Sequence, residues 1–91
     1  MPKYVLTGTY CENVLEKREP YRADHLEGLK KQHADGVLLT IGPTKDLAEV
    51  FGIYDAPDAD TVHQLIEGDP YWKGNIWTSY EVKEWIQAIG G

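Results

Sequence analysis

The chain has 91 residues, 42% of them hydrophobic, and a formal net charge of −6. This length predicts one domain over residues 1–91. The acidic balance argues against a nucleic-acid partner, which requires a positively charged surface, and against docking on anionic lipid. The longest strongly apolar stretch, 37–41, is far shorter than the roughly 20 residues that cross a bilayer. No signal peptide precedes the first predicted strand, so we predict a cytoplasmic protein with neither nucleic acid nor membrane as a partner.

The first half of the chain predicts a strand followed by a helix. Residues 4–10 are rich in β-branched and aromatic side chains, which favour a strand, and a polar connection follows over 11–18. Residues 19–33 have helical periodicity, with Pro20 in the first turn and Gly36 suited to a cap after the last. The residues predicted to form the buried stripe of this helix are Ala23, Leu26, Leu29 and Lys30.

The second half predicts two strands, a helix and a final strand. Residues 37–41 and 49–55 read as strands, separated by a turn that Gly42 and Pro43 begin. A second helix is predicted over 57–68, with an acidic first turn and a closing glycine. Residues 75–82 predict the fourth strand. The apolar residues expected to pack directly after it are Trp85 and Ile86.

The element order βαββαβ predicts an α+β, ferredoxin-like fold with a four-stranded antiparallel sheet. Right-handed crossovers place both helices on one face of such a sheet, which leaves the other face bare. Cys11 is the only cysteine, so no intrachain disulfide stabilises this small domain. We therefore predict a homodimer that stacks two sheets. The apolar residues that suggest a covered second face are Val37, Leu38, Leu39 and Ile41 of strand two, together with Tyr4, Tyr10, Phe51 and Trp77.

The first helix carries the strongest candidates for chemistry. Arg18, Arg22 and His25 are four and three residues apart, so they share one side of the helix, which also includes Leu29. A histidine at the border of helix and sheet can exchange a proton near neutrality. The alternative interpretation of His25 is a structural histidine that only forms a hydrogen bond at that border.

A second candidate follows the second helix. Pro70 restricts Asp69 to an extended backbone, which fixes the direction of its carboxylate and would allow it to orient a histidine. An ordinary Asp-Pro turn is the alternative. Tyr71 belongs to an aromatic group near the C-terminus that suggests a flat apolar ligand pocket, with core packing or dimer contact as the alternative.

No metal site or cofactor site is predicted. His25 and His33 are eight residues apart on one helix, about 12 Å of rise, which is too far to share an ion. His63 has no cysteine or histidine at zinc-binding spacing. Cys11 lacks an adjacent base and is expected to be an inert thiol. No nucleotide-binding or phosphate-binding motif is present, so the predicted cofactor is none.

Several motifs, taken together, resemble those of one known family. Arg22 begins R-x-x-H-L-x-x-L, residues 36–43 read G-V-L-L-T-I-G-P, and residues 68–71 read G-D-P-Y. Further matches are Gly74, Val82 and Trp85. In this order they resemble the YCII-related (YciI-like) family of the dimeric α/β-barrel superfamily, over nearly the whole chain.

The resemblance implies a pocket in each subunit between the sheet and the first helix. It implies that His25 and Asp69 form the active-site pair and that Arg22 binds an anionic group. Arg18 and Tyr71 are then predicted to complete the ligand site. The loop over 43–49 is short for the family, and little chain follows Trp85 to cover the site.

Two functions from different classes remain open at this point. The first is a cofactor-independent enzyme, an isomerase or lyase, that transfers protons on a small, flat, anionic or aromatic metabolite. His25 would be its general acid or base, and Asp69 would orient His25. The second is a non-catalytic homodimer that binds or carries a small ligand in the same pocket. A structural interaction module, with the pocket filled by side chains, is a third alternative.

Overall fold

A computed structural model of the chain describes residues 1–90, which form four strands and four helices. The elements in chain order are β1 (Lys3–Tyr10), α1 (Val14–Lys17), α2 (Glu19–Ala34), β2 (Leu38–Pro43), β3 (Glu49–Asp55), α3 (Ala59–Glu67), α4 (Pro70–Lys73) and β4 (Trp77–Trp85). No helix in this part of the chain is long and apolar enough to cross a membrane.

The four strands form one sheet in the order β2-β3-β1-β4, and every neighbouring pair is antiparallel. With α2 and α3 as the crossovers, this is the predicted ferredoxin-like arrangement, and the α+β fold class is confirmed. Strand β1 alternates buried and more exposed residues along its length. Its buried Tyr4 and Leu6 lie opposite buried Tyr54 and Gly52 of β3. One face of the sheet is therefore covered by the helices.

The long helices cover different parts of that face. Helix α2 packs against β2, helix α3 packs against β4, and the short α4 contacts both helices and β4. Beneath them lies one apolar cluster whose most deeply buried large side chains are Leu6, Val50, Tyr54, Val62, Ile66, Ile76 and Trp77. The space between α2 and β2 is not filled in this way, and the candidate site lies there.

Two short helices lie where the sequence predicted no helix. Within the expected polar connection, α1 buries Val14 against the core. Helix α4 begins at Pro70, where we expected only a turn. A single helical turn has too few residues to produce a periodic apolar pattern, so neither helix has a signature in the sequence. Strand β4 begins later than predicted because Asn75 has a left-handed backbone, with φ of 59°, which a strand residue does not adopt.

The predicted buried stripe of α2 was right at Leu29 and wrong at its other three residues. Its buried residues are His25 and Leu29, whereas Ala23 and Lys30 are exposed and Leu26 keeps 37% of its surface. The face that meets the sheet is thus rotated toward the side that carries His25. The physical reason is the cavity between α2 and β2, because Leu26 and Lys30 line this cavity instead of entering the core.

The uncovered face of the sheet is more polar than expected. Of the aromatic residues predicted to enlarge it, only Phe51 is on that face, with 45% of its surface exposed, because Tyr4, Tyr10 and Trp77 lie on the helix side. The residues predicted to pack after β4 were also misplaced. Trp85 is part of β4, and Ile86 keeps 87% of its surface exposed.

Candidate functional site

A buried histidine and a buried aspartate meet at the inner end of the cavity. His25 on α2 and Asp69 before α4 are each 5% exposed, and His25 Nδ1 lies 2.7 Å from Asp69 Oδ1. The same carboxylate oxygen accepts a hydrogen bond of 2.8 Å from the Tyr71 backbone N–H, so Asp69 is also the N-cap of α4. The position of the carboxylate is therefore fixed by the backbone on one side and by the imidazole on the other.

Two aromatic rings hold the imidazole in place. Tyr71 stacks on His25 with ring centroids 3.5 Å apart and planes 5° apart. Trp77 meets His25 edge-on, at 5.3 Å and 84°. Because Nδ1 is bonded to Asp69, Nε2 is the ring nitrogen left to meet a ligand, and His25 lines the cavity. With a carboxylate partner, Nδ1 carries the proton in the neutral imidazole, which leaves the lone pair on Nε2.

The cavity has a volume of about 600 Å³, within the range of small-molecule sites. Helix α2 forms one wall, β2 forms the other, and β1, β3, β4 and α4 supply the end that holds His25. The lining is mainly apolar and aromatic. Its side chains outside α2 include Tyr10, Leu38, Leu39, Thr40, Ile41, Pro43, Leu47, Val50, Tyr71 and Trp77.

The charges on the cavity wall are all of one sign. Arg18, Arg22 and Lys30 line it, whereas no aspartate or glutamate does, although the chain has 15 acidic residues and only 9 lysines and arginines. None of the three cations forms an ion pair within residues 1–90. Unpaired cations beside a mainly apolar wall favour an anionic ligand.

The pKa values of the two tyrosines in the cavity are shifted in the same direction by this environment. Burial raises the pKa of Tyr71, and the positive charges of Arg18 and Arg22 partly offset that rise. Burial likewise raises the pKa of Tyr10, with an opposing effect from Trp77. Both phenols are therefore neutral hydroxyl groups near pH 7. Each hydroxyl can donate a hydrogen bond to an oxygen of a bound molecule.

The structure brings the predicted site residues together. His25, Arg22, Arg18 and Tyr71 line one cavity, and Asp69 supports His25 from behind. Tyr10, Lys30 and His33 also line the cavity and were not predicted as site residues, whereas Trp77 belongs to the aromatic group near the C-terminus that suggested a ligand pocket. The two residues on α2 could have been found, because Lys30 and His33 continue the spacing of three or four residues that begins at Arg18 and Arg22. No comparable signal identified Tyr10, which comes from the end of β1.

Other candidates lie outside this cavity. Cys11 borders a separate shallow depression with Glu12 and Asp46. Among residues 1–90, no group of three or more histidine, cysteine or acidic side chains is arranged to hold a metal ion.

A second polar cluster joins α3 to β4. The Tyr80 hydroxyl donates a hydrogen bond of 2.5 Å to Glu67 Oε2 and lies 2.6 Å from His63 Nδ1. Burial and the Glu67 carboxylate raise the pKa of Tyr80 to about 12. Trp72 of α4 packs edge-on against the Tyr80 ring. Helix α4 also carries Tyr71, whose ring stacks on His25. This cluster therefore supports the helix that positions the imidazole.

The fold is similar to that of several solved structures. A 5-chloro-2-hydroxyhydroquinone dehydrochlorinase from Burkholderia phenoliruptrix, in complex with 2,5-dihydroxybenzoquinone, matches with a TM-score of 0.81 and 25% identity. The match covers 94% of this chain and 95% of the dehydrochlorinase.

More distant matches share the fold alone. A protein of Agrobacterium tumefaciens has a TM-score of 0.60 at 17% identity, with 97% of this chain and 94% of the other covered. An uncharacterized NIPSNAP domain protein from Burkholderia xenovorans has a TM-score of 0.56 at 16% identity, with 97% and 95% covered.

No curated protein matches the sequence significantly. The model of the YCII-related domain, however, matches residues 2–86, almost the whole chain. The motifs around His25 and Asp69 lie within that match. The chain therefore belongs to the YCII-related family.

Proposed function

We propose that the protein is an enzyme that transfers protons on a small, flat, anionic ring compound and needs no cofactor. The observation that carries the proposal is the His25–Asp69 pair, which is buried, bonded at 2.7 Å and placed at the end of a cavity of ligand size. A pair of this kind fixes the tautomer and orientation of the imidazole, which is what a general base requires.

The geometry supports a defined sequence of proton and electron movements. Nε2 of His25 would accept the proton of an acidic hydroxyl group on the substrate, and Asp69 would stabilise the resulting imidazolium through Nδ1–H. The negative charge left on the substrate would be stabilised by Arg22 and Arg18. The oxyanion electron pair would form a carbonyl and shift the ring electrons to a conjugated ring carbon, which takes back the proton from His25; this step is isomerisation. Where that carbon, now tetrahedral, carries chlorine, loss of a second hydroxyl proton to His25 would form a second carbonyl and expel chloride, which is elimination.

The similarity to the dehydrochlorinase supports this choice of chemistry. Its name describes the loss of hydrogen chloride from a hydroxylated ring, and its structure contains 2,5-dihydroxybenzoquinone. Such a ring is flat and carries acidic hydroxyl groups conjugated with carbonyl groups. The cavity of this chain offers the matching features, with aromatic walls at Tyr71 and Trp77 and unpaired cations at Arg18 and Arg22.

The test is turnover of hydroxylated chloroaromatic compounds. We would incubate the purified protein with 5-chloro-2-hydroxyhydroquinone and related chlorinated hydroquinones, and measure chloride release and ring absorbance. For any compound that is turned over, His25→Ala should lower kcat by about 10²- to 10⁴-fold, the usual contribution of a general base. Lys31→Gln is the control, because Lys31 lies on the same helix but outside the cavity, and it should retain the rate.

Two results would contradict the proposal. Full activity of His25→Ala would remove His25 from the reaction. Binding of the compounds in the cavity without chemical change to any of them would favour the other function considered, a non-catalytic dimer that carries or senses a small molecule.

We also propose that two copies associate through the uncovered face of the sheet. Val5 lies opposite Ile53 on that face, and Phe51 is two residues from Ile53 on the same strand, so three apolar side chains are neighbours there. Their burial against a second copy would contribute about 25 cal/mol per Å². Sedimentation at micromolar concentration should give a dimer for the wild type and a shift toward monomer for Phe51→Lys. A wild-type monomer would contradict this proposal.

A further inference from the structure

We propose that the cavity has a second anion-binding subsite, formed by Lys30 and His33, at the end remote from Arg18 and Arg22. The preferred ligand would then be a flat compound with an acidic group at each end. One group would lie at Arg18 and Arg22, and the other at this second subsite. The inference builds on the proposed function in one respect, which is that the ligand occupies the same cavity.

The spacing along α2 separates the two cationic ends. Arg22 and Lys30 are eight residues apart, which is about 12 Å of helix rise, and both line the cavity. Between them Leu26 and Leu29 give the α2 wall an apolar stretch that also holds the His25 imidazole, and Ile41 of β2 lines the cavity as well. The cavity thus changes from cationic to apolar and back to cationic along its length. A ligand that complements this order has a flat apolar middle and two acidic ends.

His33 is held in a fixed orientation at the second end. Its Nδ1 lies 2.8 Å from the Leu38 carbonyl oxygen, and since a carbonyl only accepts, Nδ1 donates. Nε2 is therefore the nitrogen left for a ligand, as it is in His25. When His33 is protonated, both of its nitrogens donate, and Nε2–H can bind a carboxylate beside the Lys30 ammonium.

The interaction of a basic side chain with the helix dipole does not by itself explain why Lys30 lines the cavity. Basic side chains are favoured in the last turns of any helix because they interact with its dipole. Lys31 satisfies that preference as well as Lys30 does, yet Lys30 lines the cavity and Lys31 does not. No carboxylate of the chain pairs with Lys30 within residues 1–90, so its charge is available to a ligand. Lys31 therefore provides a matched control on the same helix.

The test compares two ligands that differ by one carboxylate. Binding of trans-cinnamate and of 4-carboxycinnamate would be measured by calorimetry at low ionic strength, without any need for turnover. We expect the wild type to bind the dicarboxylate about three- to fivefold more tightly, as for one solvent-accessible ion pair. Lys30→Gln should reduce the ratio of the two affinities to near one, and Lys31→Gln should preserve it. Arg22→Gln should weaken the binding of both compounds.

The outcomes separate this inference from the proposed function. If the wild type binds both compounds equally, or if Lys30→Gln preserves the ratio, the second subsite is refuted and the proposed reaction at His25 is unaffected. If the ratio depends on Lys30 but no chlorinated hydroquinone is turned over, the subsite is supported and the proposed reaction is not. If neither compound binds at millimolar concentration, both the subsite and the anionic ligand are refuted.

Discussion

Replacing Asp69 with alanine should destabilise the fold far more than the loss of an ordinary helix cap does. One oxygen of this carboxylate accepts two hydrogen bonds, one from His25 Nδ1 at 2.7 Å and one from the Tyr71 N–H at 2.8 Å. Alanine removes the acceptor of both hydrogen bonds at a position that is 5% exposed. Because water does not easily reach either donor, both are left unsatisfied.

The magnitude follows from these two losses. Loss of an N-cap side chain typically costs about 1 kcal/mol. An unsatisfied buried donor costs about 1–3 kcal/mol, and His25 Nδ1 is such a donor in the Asp69→Ala variant. The expected loss in the free energy of unfolding is therefore about 2–4 kcal/mol. The change is large against the roughly 5–15 kcal/mol that stabilises a typical domain.

The assay is urea denaturation of the wild type and the variants at one protein concentration. Asp58→Ala is the matched control, because Asp58 caps α3 through the Thr61 N–H and contacts no histidine. Asp69→Asn keeps an acceptor oxygen and should fall between Asp69→Ala and the wild type. The reasoning is refuted if Asp69→Ala loses no more stability than Asp58→Ala, since His25 would then gain nothing from the carboxylate.

Two further predictions concern stability. The pKa of Tyr80 is raised from the usual 10 to about 12 in the folded protein. The stabilisation that its neutral hydroxyl group gives the fold is therefore complete below pH 10 and declines as the pH rises toward 12. The stability difference between wild type and Tyr80→Phe should therefore narrow between pH 10 and 12 in urea titrations, and a constant difference would contradict this. Gly8→Ala should cost about 1–3 kcal/mol, because the new Cβ would lie 2.7 Å from the Ser79 carbonyl oxygen. Gly28→Ala, in the interior of α2 with no atom within 4 Å, should instead gain about 0.5–1 kcal/mol in the same assay; equal effects would refute the steric argument.

The strands were predictable from residue type. Strand β3 covers the predicted residues 49–55, which are rich in the β-branched and aromatic side chains that favour a strand. Helix α2 lies where it was predicted, but of its predicted buried stripe only Leu29 is buried. A helix that lines a cavity can leave an apolar residue such as Leu26 partly exposed at the cavity wall and bury a polar residue, His25, at its inner end. Hydrophobic periodicity alone cannot distinguish these two environments.

Less of the candidate site than of the fold could be predicted from the sequence. His25 and Asp69 are 44 positions apart, and no local pattern indicates that they meet. Their pairing was expected only from the resemblance to the YCII-related family. The cationic wall was partly visible, because the spacing of Arg18 and Arg22 places them on one side of a helix. The contributions of Tyr10 and Trp77 depend on the pairing of β1 with β4, which the sequence does not specify.

The short segment Asp69-Pro70-Tyr71 explains why fold and site depend on one another in this protein. Asp69 caps α4 and binds His25, Pro70 begins α4, and Tyr71 stacks on the His25 ring. Three consecutive residues thus set the tautomer, the position and the ring plane of the imidazole. Substitutions that unwind α4 should therefore impair His25 even where they touch neither the cavity nor the carboxylate. The cluster of Tyr80 with Glu67 stabilises α4 from its other side through Trp72, which makes it a structural support for the site.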